Sequence, residues 1–178
     1  MSLFGKNIFN AAKSGDIKSL KKYLKKGADL NQKNQESLTL LHIASKNNQT
    51  ETIKFLLENN ADINAVQGAG WTALHFAAGM GYIESVKILL EYGANVNIQE
   101  NNFLATPLYF AIKNAMPGYG ENKNIVKLLL DNGAEINKLD NVGRSVLHIA
   151  IKNDDKDIIK LLERSGGKNL YPDSKFYF

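Results

Sequence analysis

The phrase Trp71-Thr72-Ala73-Leu74-His75-Phe76-Ala77-Ala78 is copied along the chain, and the period of the copies limits what the chain can fold into. Thirty-three residues earlier, Thr39, Leu41, His42 and Ala44 hold the places of Thr72, Leu74, His75 and Ala77. Thirty-four residues later, Thr106 and Leu108 return, with Tyr109 in the histidine place. Thirty-nine beyond those come Ser145, Leu147, His148 and Ala150. A second phrase closes each copy: Gly27-Ala28-Asp29-Leu30-Asn31, Asn60-Ala61-Asp62-Ile63-Asn64, Gly93-Ala94-Asn95-Val96-Asn97 and Gly133-Ala134-Glu135-Ile136-Asn137. A period near 33 residues marks a stack of like units, because one such unit cannot bury its own apolar face.

Within a unit, apolar residues recur at helical spacing in two short segments. Leu74, Phe76, Ala77 and Ala78 mark the first helix, and Ile83, Val86, Leu89 and Leu90 the second. Gly15, Asn48, Gly81 and Asp154 stand between the paired helices, where a left-handed residue is needed to reverse the chain. Thr39, Thr72, Thr106 and Ser145 are hydroxyl N-caps, and Pro107 stands at the first position of its helix.

Together these features resemble the ankyrin-repeat family, whose units carry Thr-Pro-Leu-His and close on Gly-Ala-Asp-(Ile/Val)-Asn. The resemblance covers residues 7–166. It implies an all-α solenoid of antiparallel helix pairs with projecting hairpin-like loops, and a concave surface that binds other proteins. The chain then reads as one ankyrin-repeat domain, residues 1–178. A capping repeat at 7–31 precedes repeats at 32–64, 65–97 and 98–137. A C-terminal repeat at 138–170 and an aromatic tail at 171–178 follow. The third repeat departs most from the pattern, with one extra residue before Thr106 and six between its helices. Its stretch 115–123, with Pro117, Gly118 and Gly120, reads as a bulging loop.

Composition narrows the chemistry. There is no cysteine, so disulfides, thiolate metal sites and a cysteine nucleophile are absent. The chain shows no apolar leader and no apolar run near 18 residues, which argues for a cytoplasmic, non-membrane protein. A net charge of +4 comes almost wholly from lysine, Arg144 and Arg164 being the only arginines, so nucleic acid is an unfavoured partner. The wealth of Lys, Asn and Ile is that of an AT-rich genome, which keeps open a second address: an effector that leaves a bacterium by a non-Sec route and binds a host protein.

No nucleophile elbow, phosphate loop or His-Glu-x-x-His helix is present. His42, His75 and His148 share one place in the repeat. The resemblance implies that their rings bond to backbone between adjacent loops, so no catalytic, metal or cofactor role is expected. A small-ligand or catalytic site under the 115–123 insertion remains the second alternative.

The positions that vary between repeats point instead to a protein partner, met by a chain that is monomeric alone. Lys13, Lys46, Lys113 and Lys152 hold one register, interrupted by Gly79 and Met80. They are either a positive ladder for an acidic surface or ordinary helix-forming solvated residues. Leu38, Trp71 and Arg144 share a place before the capping hydroxyl, while Phe103 and Leu104 lie on the lengthened third loop. Trp71 is the foremost anchor candidate, because aromatic and arginine side chains dominate interface hot spots. Met116 and Tyr119 on the insertion are second-rank candidates. The lysines at 18, 21, 22, 25 and 26 read as the solvated face of the capping repeat, with a polybasic membrane-contact helix as the rival.

Overall fold

The computed structural model describes residues 5–114 and 121–170. Met116, Tyr119 and the tail at 171–178 lie outside the described residues. Ten helices and no strand occupy the described residues. In order they are α1 (Gly5–Ser14), α2 (Ile17–Lys25), α3 (Leu40–Lys46), α4 (Thr50–Glu58) and α5 (Ala73–Gly79). Then come α6 (Ile83–Glu91), α7 (Pro107–Lys113), α8 (Glu121–Asp131), α9 (Val146–Lys152) and α10 (Lys156–Arg164). The chain is therefore all-α and built of helix pairs, as the repeat predicts.

Short polar punctuation explains the helix ends. Thr39, Thr106 and Ser145 hold extended backbone and accept the third backbone N–H of the helix that follows, from His42, Tyr109 and His148. The side chains of Asp16 and Asp155 likewise accept the third backbone N–H of α2 and α10. The Asp16 carboxyl is held below its ordinary range by its hydrogen bonds to the Ser19 side chain and backbone. Gly15, Asn48, Gly81 and Asp154 all take positive φ, between 53° and 77°, and turn one helix back on the next.

Backbone proximity divides the chain into two compact units, Met1–Ala77 with Glu84–Asn95, and Ala78–Ile83 with Val96–Phe178. In the first, α1 packs on α2 and α3, and α4 on α2 and α3. Ile8, Leu20, Leu40, Leu41, Ile53, Leu56, Leu74 and Leu89 are the largest of its fully buried core side chains. In the second, α7 packs on α8 and α9, and α10 on α8 and α9. Leu108, Ile112, Ile125 and Leu129 are fully buried there, with Leu162 of α10.

Inside each unit, the last residue of the closing phrase joins one repeat to the following one. The side-chain oxygen of Asn31 accepts the Asp62 N–H at 2.8 Å, and that of Asn64 accepts the Asn95 N–H at 2.9 Å. In the second unit Asn97 accepts from Glu135 and Asn137 from Lys168, both at 2.8 Å. The amide NH2 groups of these two also donate, to the carbonyls of Gly133 and Gly166. A backbone donor at each junction is thereby bonded across to the neighbouring repeat.

One pair of buried hydroxyls is the exception. Ser45 Oγ and Thr52 Oγ1 have no hydrogen-bonding partner among the described residues. Thr52→Val removes a desolvated hydroxyl while keeping the branched shape. It should leave stability unchanged or raise it by up to about 1 kcal/mol, as measured by thermal denaturation.

Candidate partner-binding surfaces

Four hairpins project from the repeats, and each is clamped by one side chain at its base. Asn34, Gln67, Glu100 and Asp140 each donate their own N–H to the far side of the hairpin, to Leu38, Trp71, Ala105 and Arg144 carbonyls, at 2.9 to 3.0 Å. Their side-chain oxygens then accept the N–H groups of the turn. Asn34 accepts from Glu36 and Leu38, and Gln67 from Ala69. Glu100, fully buried, accepts from Asn102, Phe103 and Ala105 at 2.9, 2.6 and 3.2 Å. Asp140 accepts from Val142 and Arg144. Each turn is completed by a positive-φ residue: Ser37, Gly70, Leu104 and Gly143.

The histidine place joins neighbouring hairpins. In the first unit His42 Nδ1 accepts the Thr39 N–H at 3.1 Å, while Nε2 lies 2.9 Å from the Trp71 carbonyl. A carbonyl only accepts and a backbone N–H only donates, so Nε2 carries the proton and Nδ1 is bare. The ring is 1% exposed, and its burial pushes the imidazole below its ordinary pKa. His75 repeats the bond to its cap, the Thr72 N–H lying 3.1 Å from Nδ1. Tyr109 serves differently: its hydroxyl accepts from Arg144 Nη2 at 3.4 Å, and burial raises its pKa. Among the described residues, no group of three or more His, Asp or Glu side chains is placed to hold a metal ion. Nor is any helix among them long and apolar enough to cross a membrane.

The proposed contact residues fall in unlike settings. Leu38 is buried at 7% exposure, so the expectation of a loop-tip anchor there is corrected: its side chain is withdrawn from solvent, and its N–H is held by the Asn34 side chain. Trp71 is half-buried, with its ring centroid 5.1 Å from Phe76 and 5.9 Å from His75. Arg144 is engaged at home, its Nε 2.8 Å from the Asp140 carboxylate. Lys13 and Lys46 are exposed in the first unit, and Lys113 and Lys152 in the second. Gly79, which breaks the lysine register, is approached closely by Asn114, whose amide donates to the Gly79 carbonyl at 3.0 Å. A Cβ at Gly79 would meet that amide nitrogen at 3.3 Å, so any side chain there would have to push the Asn114 amide aside. Met80 beside it is 52% exposed.

Phe103 and Leu104 are 43% and 46% exposed on the lengthened hairpin. The Lys113 ammonium stands 4.9 Å from the Phe103 ring centroid and 5.7 Å from that of Tyr109. Leu139 and Val142, absent from the expected contact set, are 40% and 45% exposed on the fourth hairpin. Their signal was present in the sequence as apolar residues flanking Asp140, within a loop whose other positions are polar.

A family model described as "Ankyrin repeats (3 copies)" matches residues 8–100 and 99–171. No curated protein matches the chain.

Proposed function

Because the chain belongs to the ankyrin-repeat family, whose members are generally protein–protein interaction modules, we propose that it is a non-catalytic module that binds a partner protein. The observation that carries this reading is the clamped hairpins. Each holds its turn with backbone and side-chain bonds together, and the third and fourth present large apolar side chains to solvent. Contact surfaces fixed in advance lose little conformational entropy on binding, so modest contacts suffice. Trp71 and Met80 add apolar area, and the exposed lysines of each unit favour encounter with an acidic surface. We take the chain to work in the cytoplasm as a monomer.

The test is to capture a partner from the native source and titrate it calorimetrically against the whole chain. Trp71→Ala should weaken affinity by about 2 kcal/mol, roughly 30-fold. Because the ring also packs on Phe76, a fall in melting temperature should accompany the loss. Unchanged affinity removes Trp71 from the contact. Turnover of a small molecule by the isolated chain, with no protein partner recovered, would overturn the module itself.

A further inference from the structure

We infer that the third and fourth hairpins together form a docking surface for an acidic segment of another protein that carries an apolar anchor side chain. The inference rests on the protein-binding reading and adds the chemistry of the partner.

Both hairpins belong to the second compact unit and are tied together at their tips. The Asn141 N–H donates to the Phe103 carbonyl at 2.8 Å, and its side-chain amide to the Asn102 carbonyl at 2.7 Å. The Gln99 amide donates to the carbonyls of both Leu104 and Leu139. Phe103, Leu104, Leu139 and Val142 thus lie on two loops stitched into one piece, each 40% exposed or more. A set of large apolar side chains held this way is unlike isolated exposed residues, which need no explanation.

Leu104 is the sharpest sign that the surface is built for contact. It holds φ +52°, where the other hairpins place Ser37, Gly70 and Gly143. A bulky residue there is strained, and at 46% exposure its side chain recovers little by burial. Strain held on an exposed apolar side chain becomes useful once a partner covers it.

Charge selects the partner. The carboxylates of both hairpins are turned inward: Glu100 is spent on backbone amides, Asp140 on amides and Arg144. The exposed polar side chains of the tips, Asn101, Asn102 and Asn141, are neutral. At the edge stands the Lys113 ammonium over Phe103, and Lys152 is exposed at the same register of the adjacent helix α9. An apolar surface edged with positive charge and lacking outward carboxylates complements a Leu, Phe or Trp flanked by Asp or Glu.

The experiment is selection of displayed random 16-residue peptides on the whole chain. Affinities of the recovered peptides are then measured by fluorescence anisotropy against the chain and against Phe103→Ser, Leu104→Gly and Lys113→Glu. Glycine is at ease at positive φ, so Leu104→Gly should fold with an equal or higher melting temperature. Recovered peptides should carry acidic residues beside an apolar one. Each variant should weaken them about tenfold or more, and added salt should weaken them too. Basic or unpatterned peptides overturn the inference, as does undiminished binding to Phe103→Ser and Leu104→Gly; in both cases the binding-module reading stands. Tighter peptide binding on removal of residues 171–178, or a dimer that Phe103→Ser dissolves, would assign the surface to the chain itself and overturn it equally. Recovery of neither peptide nor protein ligand would sink both readings.

Discussion

Glu100→Ala is expected to lower stability by roughly 3 kcal/mol and to open the third hairpin. The side chain is wholly buried, and its carboxylate accepts three backbone N–H groups, of which that of Ala105 is itself buried. Removing the acceptor leaves those amides desolvated, at about 1–3 kcal/mol for each group that cannot rehydrate. Rehydration at the tip, where Asn102 and Phe103 are exposed, brings the total below a simple sum. Glu100→Gln should cost less, since Gln67 clamps its own hairpin with a neutral amide. Urea denaturation gives the magnitude. Hydrogen exchange at the Phe103 and Ala105 amides shows whether the loss is local. Protection unchanged in Glu100→Ala would mean that the clamp contributes nothing.

The second large effect lies at His42. His42→Ala empties a buried space beside Phe76, whose ring centroid is 5.9 Å away, and breaks the bonds to the Thr39 N–H and the Trp71 carbonyl. Lost packing and two orphaned backbone groups together amount to about 3 kcal/mol. The same geometry sets a pH dependence. A proton added at Nδ1 would face the Thr39 N–H, donor against donor, and burial already depresses the folded pKa below the ordinary 6.5. Between the depressed value and 6.5 the unfolded chain binds the proton and the folded chain does not. The contribution of His42 is therefore full above about 6.5 and drains away as pH falls through that interval, with a slope of up to about 1.4 kcal/mol per pH unit. Unfolding of the parent chain and of His42→Ala at pH 7.5 and 5.0 should show a stability gap that narrows in acid. A gap that stays constant would contradict the neutral, Nε2-protonated ring.

Much of this architecture could be read from the residues. Thr39, Thr106 and Ser145 cap helices where the repeated phrase starts, Pro107 opens α7, and the four predicted reversal residues take positive φ. These features are local: a hydroxyl, a ring or a small polar residue at a fixed offset acts on the backbone within a few positions. The contact surfaces were harder because they depend on which way a side chain turns. Leu38 and Trp71 share a register, yet the first is buried and the second half-exposed. Arg144 looked free for a partner but is drawn in by Asp140 and Tyr109. The clamp register of Asn34, Gln67, Glu100 and Asp140 carries no repeated letter, because four different residue types fill it. Only their common possession of a side-chain oxygen links them.

The asparagine that closes each repeat has a consequence for how such a chain can change. What it grips on the neighbour is always main chain, and the gripped residues are Asp62, Asn95, Glu135 and Lys168. Those side chains are acidic at Asp62 and Glu135, neutral at Asn95 and basic at Lys168, and the join is the same for all. The join therefore does not dictate which side chain stands at the gripped position, and mutation can repaint the exterior there, sign of charge included, while the main-chain grip is kept.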